Sequence, residues 1–177
     1  MLFLEQNKSS NNLKELDKLI TANKIISHCS NETKNILFTI NNQESTINDL
    51  IQEFNLRAEL SLSLKNINYT INKNIENNII LKPQIINYLL DVYSEILNNI
   101  IKHSQATNIV ILINYSNKKL ILKVSDNGIG FNYLEQRSKK HTYGFDILER
   151  LSKEINSIIS INSYPEIGTI IEIVISI

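Results

Sequence analysis

Along residues 13–38 apolar side chains at Leu13, Leu16, Leu19, Ile20, Ile26, Cys29, Ile36 and Leu37 recur mostly at threes and fours, without an internal Gly or Pro. The spacing predicts one amphipathic helix, with Ser9 to Asn12 offering its N-cap, and its single apolar stripe needs a partner surface such as a second chain. Residues 39–45 read as a break. From Thr46, the positions Ile47, Leu50, Ile51, Phe54, Leu56, Leu60 and Leu62 predict a second helix, helped by Asp49 in its first turn. The period then drops to two at Ile67, Tyr69 and Ile71, the alternation of a half-buried strand.

Pro83 suits the first turn of a long helix, since the donor it lacks would go unpaired there anyway. Ile85, Ile86, Leu89, Leu90, Val92, Tyr93, Ile96, Leu97, Ile100 and Ile101 give that helix a broad apolar face. Its polar residues Glu95, Asn98, Asn99, Lys102 and His103 gather at the C-terminal end. Two strands over 109–115 and 119–125, joined by Ser116-Asn117-Lys118, predict a hairpin. Residues 132–143 are polar and aperiodic and read as a loop before a helix over 145–155. Strands over 158–163 and 169–175, linked through Tyr-Pro-Glu-Ile-Gly, complete an α/β or α+β fold in which helices cover one face of a mixed, largely antiparallel sheet.

Composition narrows the possible partners. With 18 basic and 18 acidic side chains in 177 residues, no whole-chain field draws nucleic acid or anionic lipid, and a nucleotide site would have to be local. The lone Cys29 cannot form a disulfide framework or a multi-thiolate metal site, and reads as an inert small apolar residue. The opening residues turn polar at once, without a signal-peptide core or spanning segment, so a cytoplasmic chain is expected.

Four short constellations carry chemistry. Glu95, Asn99 and either Lys102 or His103 lie three or four apart on one helix face, where an amide oxygen with cationic donors suits a hydrated Mg ion with phosphates attached; taken alone, these residues favour the plainer reading of an exposed polar stripe. Asp126-Asn-Gly128-Ile-Gly130-Phe follows an apolar strand, so its glycines can admit a ligand close to backbone while the Asp accepts from an exocyclic amine; a tight turn is the alternative. Gly144 precedes a helix whose first amides attract phosphate, and Gly168-Thr169 opens the last strand.

In this order the motifs resemble the GHKL ATPase superfamily over about residues 65–177. Glu95-Ile-Leu-Asn-Asn99-Ile-Ile-Lys102-His103-Ser-Gln-Ala-Thr looks like the histidine kinase subfamily with short lids related to nitrate and membrane-fluidity sensors, and Phe145-Asp-Ile-Leu-Glu-Arg150-Leu is similar to its last long helix. The run Ile36-Leu-Phe-Thr-Ile-Asn-Asn-Gln-Glu-Ser-Thr46-Ile-Asn-Asp-Leu-Ile looks like the end of a second dimerisation helix with its linker. The resemblance implies a two-layer Bergerat-type sandwich behind a long N-terminal helix. It divides the chain into a disordered stretch 1–12, a dimerisation and linker part 13–64 and an ATPase domain 65–177.

It also implies roles: Asn99 ligating Mg, Glu95 polarising the attacking group, and Lys102 and His103 touching phosphates. Asp126 would hold the adenine amine, with Gly128 and Gly130 shaping its recess and Thr169 lining it. Gly144 would sit by the phosphates under a lid of residues 132–143, with His141 on the lid surface. ATP and Mg are the expected ligands, and a response regulator and a second copy of the chain the expected partners; a membrane anchor elsewhere in a full-length sensor stays open. Thr142 stands where the family has a glycine and Phe145 where it has Leu, which adds bulk near the phosphates. The phosphoacceptor pattern of His followed by an acidic residue is missing, because His28 is followed by Cys29. The acceptor is then expected from residues outside this sequence, with His28 as the alternative. Two rivals remain: a serine kinase of the anti-sigma-factor type, and a nucleotide-binding adaptor without transfer activity.

Overall fold

The computed structural model describes residues 45–133, 152, 153, 155 and 157–177, together with Thr33. The predicted helix over 13–38 with His28 and Cys29, most of the 132–143 loop with His141 and Thr142, and Gly144 lie outside the described residues; of the predicted 145–155 helix, Ser152 and Lys153 are helical. A compact unit runs from Asn42 to Ile177. Its described elements are α1 (Ile47–Leu62), a 3-10 turn (Ser63–Lys65), β1 (Asn68–Ile75), α2 (Pro83–Asn99), a π-helical turn (Ile100–Ser104), β2 (Asn108–Ser116), β3 (Lys119–Asp126), β4 (Ile158–Tyr164) and β5 (Gly168–Ser176).

Helix α1 starts where its sequence can satisfy its first amides. Thr46 Oγ1 accepts from the Asp49 amide at 3.4 Å, and Asp49 Oδ2 accepts from the Thr46 amide at 2.8 Å and from the Thr46 hydroxyl at 2.7 Å, a reciprocal capping box. Those bonds, the hydroxyl first and then the amide, hold the Asp49 carboxyl below its ordinary value. The entry is pinned by backbone bonds from Ile47 to Ile79 and from Leu81 to Ser45, each at 2.9 Å.

The buried face of α1 comprises Ile47, Leu50, Ile51, Phe54, Ala58 and Leu62, and the Phe54 ring lies 4.3 Å from that of Tyr93 on α2. Leu56 and Leu60, counted in the apolar stripe from sequence, are instead 48% and 62% exposed, because they fall on the helix side away from α2. Arg57 takes a place on the buried side. Its Nε donates to Glu53 at 2.8 Å, and its Nη1 donates to Ser94 Oγ at 2.8 Å and to the Leu90 carbonyl at 3.3 Å. Helix α1, grouped with the linker on sequence grounds, is thus packed within the same unit as the sheet.

The five strands run in the order β1-β2-β3-β5-β4, with β1 and β2 parallel and every other pair antiparallel. A parallel neighbour needs a crossover, and α2 supplies it. Strand β1 runs to Ile75, beyond the alternation read at 67–71, because it borrows its hydrogen bonds from the strongly apolar β2. Ile109, Ile111 and Ile113 of β2, Leu120, Leu122 and Val124 of β3, and Ile171, Ile173 and Ile175 of β5 are buried on one face, each such burial contributing roughly 1.5–3 kcal/mol. Val110, Leu112 and Ile170 on the other face are exposed, so among the described residues the helices cover one side of the sheet. Asn117 and Lys118, both left-handed at φ 50° and 60°, form the two-residue β2–β3 turn, which matches the twist of the hairpin.

Candidate functional site

Strand register places three polar side chains in one row on the helix-covered face. Asp126 ends β3 opposite Ile109 of β2 and Thr169 of β5, and Thr169 in turn faces Ser163 of β4. Directly opposed residues of antiparallel strands share a face, so Asp126, Thr169 and Ser163 project to the same side as the buried Ile109. Asp126 Oδ1 accepts from the Gly128 amide at 2.9 Å. Burial pushes the Asp126 carboxyl above its ordinary value, and the hydrogen bonds from the Gly128 and Thr169 backbones offset only part of that rise.

The loop after β3 is pressed against the end of the long helix. A Cβ on Gly128 would stand 2.2 Å from the Ser104 carbonyl oxygen, and the Ile129 amide donates to that oxygen at 2.7 Å. Ser104 itself closes the π-helical turn: its Oγ donates to the Ile100 carbonyl at 2.8 Å and accepts from the Ala106 amide at 3.0 Å. Asn127 fastens the next segment, its Oδ1 accepting from the Thr107 and Asn108 amides at 3.0 and 2.9 Å while its Nδ2 donates to Thr107 Oγ1 at 3.0 Å.

Gly130 is left-handed at φ +55°, and a Cβ there would meet the Tyr164 carbonyl at 2.0 Å. On its two sides the Ile129 carbonyl accepts from the Glu166 amide at 2.6 Å and the Phe131 amide donates to Ser163 Oγ at 3.0 Å. The Asp-x-Gly-x-Gly segment is therefore held between the π-helical turn that follows α2 on one side and the β4–β5 turn on the other. It is more than an isolated tight turn.

Glu95 and Asn99 lie one turn apart at the end of α2, each half-buried. Beyond Asn99 the α-helical spacing assumed from sequence stops, since Ile100–Ser104 is π-helical and its wider turn rotates Lys102 and His103 relative to Asn99. Both of those side chains are exposed. The structure thus joins Asp126, Gly128, Gly130 and Thr169 in one strand-end cluster, docked on the turn that carries Lys102 and His103 and follows Asn99. Gly144 lies outside the described residues. None of these residues lines the groove of about 300 Å³ between α1 and β1, which is bordered by Ile51, Gln52, Asn55, Ile71 and Lys73.

Ser104, Asn127 and Ser163 organise this end of the molecule and were not singled out from sequence. Ser163 left a signal: after Ile159 and Ile161 it is the next inward-phase position of β4, and it is polar.

Residues 85–177 match the family described as histidine kinase-, DNA gyrase B- and HSP90-like ATPase. The chain belongs to that ATPase family. The sensor histidine kinase LiaS of Bacillus subtilis (strain 168) is 26% identical over 131 residues, covering 74% of this chain and 33% of LiaS. The sensor protein VraS of Staphylococcus aureus (strain COL) is 25% identical over 127 residues, covering 72% of this chain and 33% of VraS. This chain of the ATPase family accordingly spans about a third of the length of the curated relatives it matches. Among solved structures, the Acinetobacter baumannii histidine kinase AdeS superposes with a TM-score of 0.62 at 16% identity, covering 91% of this chain and 83% of that one. The α+β fold, with its mixed five-stranded sheet, is that of histidine kinase catalytic domains. No helix among the described residues is long and apolar enough to cross a membrane.

Proposed function

We propose that this chain is the ATP-binding catalytic part of a sensor histidine kinase, which binds Mg-ATP and passes the γ-phosphoryl group to a histidine, with a response regulator as the next acceptor. The observation that carries the reading is the half-buried Asp126 carboxylate, held by two backbone donors at a strand end against which the end of α2 is docked. A carboxylate in a partly desolvated recess keeps lone pairs for a ligand's N–H groups, which suits the exocyclic amine of adenine. Gly128 and Gly130 leave backbone where a Cβ would intrude, and Thr169 lines the same row.

Asn99 supplies an amide oxygen at the last turn of α2. Among the described residues no group of three or more His, Cys, Asp or Glu side chains gathers to cage a metal, whereas one amide oxygen with substrate phosphates and water meets the needs of Mg. When bound, the ion neutralises charge on the transferring phosphoryl group. In this assignment Lys102 and His103 add cationic or hydrogen-bonding contacts to phosphate, Gly144 keeps its place beside it, and Glu95 polarises the attacking group from one turn before Asn99. The protein's share of the catalysis is positioning and electrostatic preorganisation. The same reading assigns residues 65–177 to the ATPase domain, puts the chain in the cytoplasm as a homodimer through residues 13–38, and draws the phosphoacceptor histidine from outside the ATPase domain.

Calorimetric titration of ATP with and without Mg, on the unsubstituted chain and on Asn99→Ala, tests the proposal. Mg-dependent binding that Asn99→Ala abolishes is expected. Absence of binding under every condition would leave a member of the family kept for its fold, the adaptor reading.

A further inference from the structure

Ser163 is 6% exposed, and its hydroxyl has three neighbours. Its Oγ accepts from the Phe131 amide at 3.0 Å, lies 3.1 Å from the Gly168 carbonyl oxygen, and lies 2.9 Å from Thr169 Oγ1. A serine hydroxyl has one proton and two lone pairs. The Gly168 carbonyl has no proton to give, so at this contact Ser163 is the donor. Turned toward Thr169, it would leave two oxygens 3.1 Å apart with nothing between them, at a buried position where an unmade bond is costly. One Ser163 lone pair takes the Phe131 amide, and the other must then receive the Thr169 proton.

That proton arrangement makes Thr169 an acceptor toward any further partner. Its hydroxyl spends its only proton on Ser163 and keeps lone pairs alone for any other partner. Thr169 stands directly opposite Asp126 on the same sheet face, and Asp126, when ionised, is also an acceptor without a donor.

We infer that Ser163 is a specificity-determining positioning residue: it fixes the Thr169 hydroxyl as an acceptor, so that Asp126 and Thr169 together select a purine with an amine at position 6. A 6-oxopurine would set its carbonyl against this acceptor pair and find no donor there. The inference rests on the nucleotide reading above and deepens it, by giving the base selectivity a structural cause two strands away from Asp126.

The test is calorimetric titration of the whole chain with Mg-ATP and with Mg-ITP, which differ at position 6 by an amine against a carbonyl. The unsubstituted protein is expected to prefer ATP. Ser163→Ala frees the Thr169 proton and is expected to narrow the ATP-to-ITP affinity ratio by about tenfold, the worth of one hydrogen bond. Thr169→Val removes the acceptor while keeping the Ser163 side chain, which loses only its bond to Thr169, and is expected to narrow the ratio as well. In the Thr169→Val background, adding Ser163→Ala should leave the ratio where Thr169→Val put it.

Because the readout is a ratio, general loosening of the loop cancels from it. A Ser163→Ala protein that weakens both nucleotides equally, or a Thr169→Val protein with the full original ratio, overturns the inference while leaving the nucleotide reading intact. Failure of the unsubstituted protein to bind either nucleotide overturns the nucleotide reading, and the inference with it.

Discussion

Gly128→Ala is the substitution whose cost the structure defines most sharply. The added methyl would stand 2.2 Å from the Ser104 carbonyl oxygen, more than an ångström inside ordinary contact with backbone that cannot rotate away, and 2.7 Å from Ser104 Cβ. It would also stand 2.8 Å from Asp126 Oδ1, the oxygen that already accepts the Gly128 amide. Relief requires the loop to withdraw from the π-helical turn that follows α2. Withdrawal stretches the 2.7 Å bond from Ile129 to Ser104, at about 1 kcal/mol, and the overpacking itself costs about 1–3 kcal/mol, so a loss of about 2–4 kcal/mol is expected. Urea unfolding of the two proteins reads this as a lowered midpoint with unchanged slope. Calorimetry on the same samples should find ATP binding weakened, since the withdrawn loop carries Asp126 away from the end of α2. A variant within about 0.5 kcal/mol of the parent and with full ATP affinity would refute the tight docking of this loop on Ser104.

Asp126 carries two pH dependences of opposite sign. Its raised folded-state pKa means that the folded protein holds a proton there more tightly than the unfolded chain, so this group's contribution to stability falls as pH rises from the ordinary carboxylate value through the raised one. Nucleotide affinity should instead fall as pH is lowered through that window, because a protonated carboxyl loses acceptor capacity; affinity that stays flat across it would count against Asp126 as the base receptor. Thr46→Ala removes the capping box and is expected to cost about 1 kcal/mol in urea unfolding. Because the Asp49 pKa is depressed, its part of that stability is present above the unfolded value and lost as pH falls through the depressed one, so the two proteins should converge in acid. Arg57→Met leaves Ser94 and Glu53 without their cation and is expected to cost about 1–3 kcal/mol, with Glu53→Leu added in the same chain recovering part of it; a neutral single variant would show that this cation adds nothing to the α1–α2 contact.

Much of the described fold was legible along the chain because period and punctuation are local quantities. The spacing of threes and fours marks α1 and α2, alternation marks β2, β3 and β5, and Pro83 marks a helix start, since each pattern follows from which side chains one face can bury. The order of Glu95, Asn99, Asp126, Gly128, Gly130 and Thr169 was sufficient to point to a family, because order and spacing can be read along the chain without knowing which residues meet.

Contacts between distant segments were another matter. Nothing along residues 68–75 says that the strand lies parallel to β2 at the sheet edge, and nothing near Leu56 says that α2 will cover the other side of its helix. The π-helical turn after Asn99 exists in company with the loop that docks on Ser104, so the positions of Lys102 and His103 depend on residues more than twenty places away. Ser163 shows the division most clearly. Its inward phase is written in the sequence, but the direction of its proton, and through it the acceptor character of Thr169, arises only when strand pairing gathers Phe131, Gly168 and Thr169 around one oxygen. A one-dimensional pattern fixes which face a side chain takes; a hydroxyl's donor and acceptor roles are set by all its neighbours at once.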